Sequence, residues 1–238
     1  VLKVEKAEWV NLRFVNDPKH LYLVSELAGY HCWCVASFRL FFDEHTGEIK
    51  EQTPNSALHW SRVYEWPWVI LNGELSKSIS VLDVGAGHAV LQYAVAARSG
   101  WVYSLDPNED SQRAVSAMVA RLRIQNLTLV HGSVGTVDKI YGTDNLFDRV
   151  VCVSVLEHTP DWEQEIHRLA LLTRPGGLIM LTMDVNENPP TRGEFGITEK
   201  DVRRFFEDEN IPPKDHGFRH LMPDGSVLSC LCLKLRKG

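Results

Sequence analysis

The spacing of apolar side chains along the 238 residues changes character twice. Residues 18–42 and 57–73 carry them at helical intervals, and Pro54-Asn55-Ser56 ahead of the second stretch reads as a helix start. Pro67 lies inside that stretch, where it predicts a kink or a fresh beginning. From Ser78 onward, short apolar runs of strand length alternate with helical stretches. Ile79–Val84, Trp101–Leu105, Leu127–His131, Phe147–Val153 and Leu178–Asp184 read as strands. Residues 88–99, Asp110–Gln125 and 161–173 read as helices, the last stopped by Arg174-Pro175-Gly176-Gly177. Thr198-Glu199-Lys200-Asp201 opens one more helix as a capping box, with Asp in the place usual for Glu or Gln. Val227–Leu235 then alternates after the turn Pro223-Asp224-Gly225, as a closing antiparallel strand does.

Short apolar strands separated by helices pair in parallel with both sheet faces covered, and the right-handed crossover makes the result an open, doubly wound α/β sheet. No internal repeat and no Gly/Ser linker divides the chain. Five of the seven tryptophans (Trp9, Trp33, Trp60, Trp66 and Trp68) precede residue 70. The division expected is therefore a helical, aromatic-rich extension or cap over residues 1–75 and an α/β domain over residues 76–238.

A composition of 44% hydrophobic and 24% charged residues excludes collagenous, low-complexity and wholly disordered chains. The net charge of −6, without a basic stripe, argues against nucleic acid as the partner. No apolar run reaches the length of a membrane span, and Lys3, Glu5, Lys6 and Glu8 break any signal-peptide pattern. The first residue is Val1 rather than Met, as expected of a trimmed chain or a piece of a longer one. The five cysteines (Cys32, Cys34, Cys152, Cys230 and Cys232) form no disulfide framework, which suits a reducing, cytoplasmic compartment. The two C-x-C pairs are too closely spaced for the usual structural zinc site, and in a strand Cys230 and Cys232 share one face of a core.

In a doubly wound sheet, ligands bind beyond the carboxyl ends of the strands. The first such end reads Leu82-Asp83-Val84-Gly85-Ala86-Gly87-His88, with glycines that let backbone approach a ligand. Asp106 ends the second strand 21 residues after Gly85, where a carboxylate can accept the hydroxyls of a ribose. Two nucleoside cofactors answer to this pattern. The dinucleotide fingerprint needs a third glycine at position 90, which is Val90 here, so a nicotinamide oxidoreductase is disfavoured. Asp83 better suits a ligand with a cationic amino-acid end.

Val81–Leu91 (VLDVGAGHAVL), Asp106, Phe147–Asp161 (FDRVVCVSVLEHTPD) and Arg174–Leu181 (RPGGLIML) resemble, in order, the motifs of class I S-adenosylmethionine-dependent methyltransferases of the broad type-11 group. The resemblance implies a Rossmann-like, seven-stranded sheet of order 3-2-1-4-5-7-6 with the last strand antiparallel. By the same resemblance Asp83, Gly85, Ala86 and Gly87 shape the pocket for the methionine end of S-adenosyl-L-methionine. Asp106 binds the ribose and Pro107 or Asn108 lies against the adenine. Ser133 and Val134 follow the third strand, with Ser133 where the family often has an acidic residue. Ser154 follows the fourth strand beside the sulfonium.

Methyl transfer is an in-line displacement, and a hydroxyl nucleophile also needs a base. His158 is the first candidate and Glu157 the second, both just after the fourth strand; His88 is a weaker third. No metal is expected, because Ser154 stands where related metal-assisted enzymes have a further carboxylate. Neither signature of nucleobase methylation is present. Cys152-Val153-Ser154-Val155 replaces the Asn/Asp-Pro-Pro-aromatic turn, Cys152 has no preceding proline, and Asn188-Pro189-Pro190-Thr191 follows the wrong strand. The acceptor is therefore expected to be a small molecule, such as a sugar or natural product, methylated on oxygen more readily than on nitrogen. Tyr64, Trp68, Arg192 and Phe195 are the expected acceptor contacts, with His59, Trp60, Glu65 and Trp66 as neighbours in the cap. The alternative is a methyltransferase-like binding or scaffold subunit without turnover. No nucleic-acid or membrane partner is expected, and the only protein partner kept open is a second copy of the chain.

Overall fold

The computed structural model describes residues 2–11, 16–45, 61–141, 146–187, 196–207, 210–214, 219–221 and 227–238, with backbone alone over 33–45 and 138–141. A sheet of nine strands forms its centre. In chain order these are β1 (Leu2–Trp9), β2 (Ser80–Val84), β3 (Trp101–Asp106), β4 (Leu127–His131), β5 (Phe147–Val153), β6 (Thr173–Asn186), β7 (Ile197–Thr198), β8 (His220–Leu221) and β9 (Val227–Lys237). The main path runs β1-β9-β6-β5-β2-β3-β4, and among the described residues the antiparallel pairs are those of β9 with β1, β6 and β8. The expected order is kept from β4 through to β9.

The helices are α1 (Pro18–His45), α2 (Arg62–Asn72), α3 (Leu91–Ala96), α4 (Glu109–Leu122), α5 (Val134–Tyr141), α6 (Trp162–Leu172) and α7 (Glu199–Phe206). The period-2 alternation of each strand sends neighbouring side chains to opposite faces. Leu82, Cys152, Ile179, Leu181 and Leu233 join a core with Val137 of α5, Ile166 and Leu169 of α6 and Val202 of α7. Val81, Val151, Met180, Cys230 and Cys232 join the opposite core with Leu27 of α1, Trp66 and Trp68 of α2, Tyr93 of α3 and Met118 of α4. The α7 cap is the capping box read from the sequence, with Thr198 and Asp201 bonded reciprocally.

Two differences from the sequence reading have identifiable causes. Residues 2–9 are a strand rather than helix: β1 lies antiparallel to β9 and forms the sheet edge. Its charges and an irregularity between Val4 and Lys6 concealed a strand in which Val4 and Trp9 are buried in one core, while Glu5 pairs across the strands with Lys234 and Arg236. The edge that the last hairpin was expected to fill is shared between two strands. The two-residue β8 pairs with Val227 and Leu228, and β1 takes Leu231–Lys237. On α2, Trp66, Trp68 and Val69 share a core with Val81, Met180 and Cys232 of the sheet.

The helix expected over 88–99 is shorter. The Gln92 amide donates to the Gly87 and Ala89 carbonyls, at 3.3 and 2.8 Å, and α3 begins only at Leu91. At its other end the Ser99 hydroxyl and N–H both converge on the Val95 carbonyl.

Candidate cofactor and transfer site

The carboxyl ends of β2, β3, β5 and β6 lie side by side, as parallel register requires. At the end of β2, Gly85 and Gly87 adopt φ of 65° and 53°, a region that side chains rarely tolerate. The Gly85 and Ala86 N–H groups donate to the Leu105 carbonyl of β3, at 2.8 and 3.1 Å, so the turn is fixed to the neighbouring strand. A Cβ on Gly85 would stand 2.4 Å from Cγ2 of Val155, whereas one on Gly87 would meet only Asp106 Oδ2 at 3.9 Å. The turn is therefore closed on the side of β5 and open above Asp106.

Asp106 Oδ2 accepts the Gly87 N–H at 2.8 Å, and its Oδ1 accepts the Asn108 N–H at 2.8 Å. Each oxygen keeps lone-pair capacity for a hydroxyl donor. Asn108 in turn caps α4 through Ser111. Asp83 is buried and its Oδ2 has no partner among the described residues. Burial first, and the nearby Asp106 charge second, push its carboxyl up to about 7. An unsatisfied buried acceptor beside a turn free of side chains suits a ligand bearing an amino group and ribose hydroxyls, so these residues fit the expected cofactor.

Ala86 and Val134 are buried, and Pro107, Ser133 and His88 are exposed. Pro107 accepts from His131 through its carbonyl, and Ser133 keeps its N–H on Thr136. Ser154 is buried at φ 48° and its hydroxyl is committed to Glu65 at 2.6 Å, so backbone rather than hydroxyl is what it offers a ligand.

Beyond β5 a short 3-10 turn, Leu156–His158, carries both candidate bases. His158 is exposed. Glu157 is 7% exposed, accepts the Asp184 N–H at 3.3 Å, and leaves Oε2 without a partner among the described residues. Its carboxyl is pushed up to about 8, first by burial and then by Asp184, whose own carboxyl stands at about 7 by burial and the charge of Glu65. Arg62 on α2 faces this group and forms an ion pair with Glu65.

Of the expected acceptor contacts, Tyr64 and Trp68 lie among the described residues. Tyr64 is half-buried near His20, with ring centroids 6.2 Å apart. Trp68 is corrected to a core residue: it is 1% exposed, and its indole N–H donates to Glu8 at 2.6 Å. Arg192 and Phe195 lie outside the described residues, as do His59 and Trp60. Gln92, Arg62, Thr182 and Asp184 belong to the site without having been singled out. For Gln92 the signal was a polar residue inside the apolar run Leu91–Ala96, where it accepts from Ser104 at 2.7 Å and braces the glycine turn. Among the described residues no cluster of three metal-ligating side chains occurs, and no helix is long and apolar enough to cross a membrane.

A sequence family described as a methyltransferase domain matches residues 62–228. A ubiquinone biosynthesis O-methyltransferase of Aromatoleum aromaticum is 30% identical over 176 residues, covering 72% of this chain and 64% of that protein. One from Aeromonas salmonicida is 30% identical over 111 residues, 46% of this chain and 44% of its own length. The chain thus spans about half the length of the curated relatives it matches. A SAM-dependent methyltransferase from Aquifex aeolicus superposes with a TM-score of 0.52 at 17% identity, over 74% of this chain and 93% of that one.

Proposed function

The chain belongs to the methyltransferase-domain family, and from that premise we propose that it transfers a methyl group from S-adenosylmethionine to an oxygen of a small-molecule acceptor. The observation that carries this reading is the bond from the Gly87 N–H to Asp106, which joins a side-chain-free turn and a carboxylate at the ends of adjacent strands. Bound there, the cofactor supplies an activated methyl group on a sulfonium.

The chain's own residues do the rest. Asp83 accepts an amino group, Asp106 holds ribose hydroxyls, and Ala86, Pro107, Ser133, Val134 and the Ser154 backbone complete the walls. Glu157 is the better base of the two candidates, because it is buried and keeps one oxygen unengaged while His158 faces solvent. It would take the acceptor's hydroxyl proton as the oxygen accepts the methyl group that the cofactor would supply. A carboxyl held near pH 8 is mostly protonated at neutrality, so turnover rises as the pH approaches 8. Tyr64 borders the acceptor, and Trp68 supports that wall from within the core.

The test is transfer of isotope from methyl-labelled S-adenosylmethionine to a panel of hydroxylated phenols, sugars and polyols. Labelled ether product supports the reading. Cofactor binding without any labelled product across the panel supports the alternative, a binding or scaffold subunit.

A further inference from the structure

Glu65 carries a fully buried carboxylate, yet it comes from α2, outside the alternating strands and helices that form the rest of the site. Its Oε1 accepts the hydroxyls of Ser154, at 2.6 Å, and of Thr182, with the Cys230 thiol at 3.5 Å. Its Oε2 accepts from the Arg62 guanidinium. One carboxylate thus gathers α2, the end of β5, β6 and β9.

The bond to Ser154 has a consequence for the glycine turn. Ser154 stands in the left-handed region, held there also by its N–H on the Thr182 carbonyl at 2.9 Å. The next residue, Val155, fills the space that a Cβ on Gly85 would need. The segment from Ser154 to Glu157 is therefore clamped between Glu65 on one side and the turn after β2 on the other.

We propose that Glu65 is a positioning residue of the transfer site: through Ser154 and Val155 it holds the segment after β5 against Gly85, and its buried charge faces the acceptor-side carboxyls Glu157 and Asp184. The inference rests on the methyltransferase reading for its meaning but not for its test. The groups facing Glu157 are Arg62 and Glu65 on α2, Asp184 on β6 and the buried thiol of Cys152 on β5. Desolvation and the Glu65 charge both keep protons on Glu157 and Asp184, whereas Arg62 acts in the opposite sense on Asp184. A merely structural Glu65 would affect stability alone.

The experiment uses the full chain as wild type, Glu65→Gln, Glu65→Ala and Ser154→Ala. Three readouts are taken: carbon-13 carboxyl resonances of Glu157 and Asp184 against pH, S-adenosylhomocysteine binding by calorimetry, and thermal melting. Glutamine keeps a carbonyl acceptor for Ser154 and Thr182 but removes the charge and frees Arg62. In Glu65→Gln, Glu157 and Asp184 should titrate lower by about one pH unit, with affinity within about threefold of wild type. In Glu65→Ala the affinity should fall about tenfold or more, because the clamp is lost as well. Where Glu65→Ala does not fold, Ser154→Ala carries that arm with a loss of about threefold or more. Unchanged titration in Glu65→Gln, or wild-type affinity once the clamp is removed, would overturn the proposal. A wild-type chain that binds no S-adenosylhomocysteine would strike down the methyltransferase reading instead, and the titrations would still decide the role of Glu65.

Discussion

The indole N–H of Trp68 donates to a carboxylate oxygen of Glu8 at 2.6 Å, tying α2 to β1 across sixty residues of sequence. The first strand is held by this bond, by Lys6 donating to Asn72 at 3.0 Å and by its ladder with β9. Trp68→Phe keeps the ring in the core and removes the N–H, at a cost of about 1–2 kcal/mol. Removing residues 1–9 also uncovers the β9 edge and should lower the melting temperature further. Chemical denaturation of both variants checks this order; a truncated chain as stable as wild type would contradict it.

Gly85 and Gly176 both have positive φ, of 65° and 74°, but their surroundings differ. Alanine at 176 meets nothing within 4 Å and should cost about 1 kcal/mol for the left-handed backbone alone. Alanine at 85 adds a collision with Val155 and should cost about 2–4 kcal/mol, together with loss of cofactor binding. Urea melts of the two variants should separate clearly, and equal losses would refute the close approach.

Asp83 holds its proton up to about 7, well above the ordinary value of 3.8. A cationic amino group bound beside it favours the ionised form, so binding releases a proton. Affinity for S-adenosylhomocysteine should therefore rise with pH up to about 7 and level off above. Calorimetry in buffers of different ionisation enthalpy would detect the released proton. Asp83→Asn should abolish the slope; an unchanged slope would assign it elsewhere.

Asp83, Glu157 and Asp184 are protonated in the folded chain up to about 7, 8 and 7, while their ordinary values are 3.8, 4.5 and 3.8. Between those limits the folded state binds more protons than the unfolded one, so stability falls as the pH rises from about 4 to about 8. Glu65 works the other way: its lowered carboxyl stabilises above 4.5, and that contribution is lost as the pH falls. Glu157→Gln removes one source of the alkaline decline. Its melting temperature should gain on wild type between pH 5 and pH 8.5, and a difference independent of pH would show that Glu157 ionises freely.

The α/β frame and the cofactor end of the site were legible because each rests on neighbours in sequence. Gly85, Gly87 and Asp106 announce themselves by residue type and spacing, and strand and helix periods define the elements between them. β1 was hidden because an irregularity after Val4 breaks its alternation and the cross-strand partners of Glu5, Lys234 and Arg236, lie at the far end of the chain. Trp68 was misassigned because helical spacing does not reveal which face of α2 meets the sheet. The role of Glu65 was out of reach for a related reason: its hydroxyl and thiol partners are 89, 117 and 165 residues away. Asp184 looked like the polar end of an apolar strand, and only the fold brings it beside Glu157.

Calorimetric titration of S-adenosylhomocysteine into the wild-type chain and into Asp106→Ala tests the central claim most directly. The account predicts one site with micromolar affinity in the wild type and a loss of about a hundredfold or more in the variant, whose fold is retained. No binding by the wild type, or equal binding by the two, would contradict it.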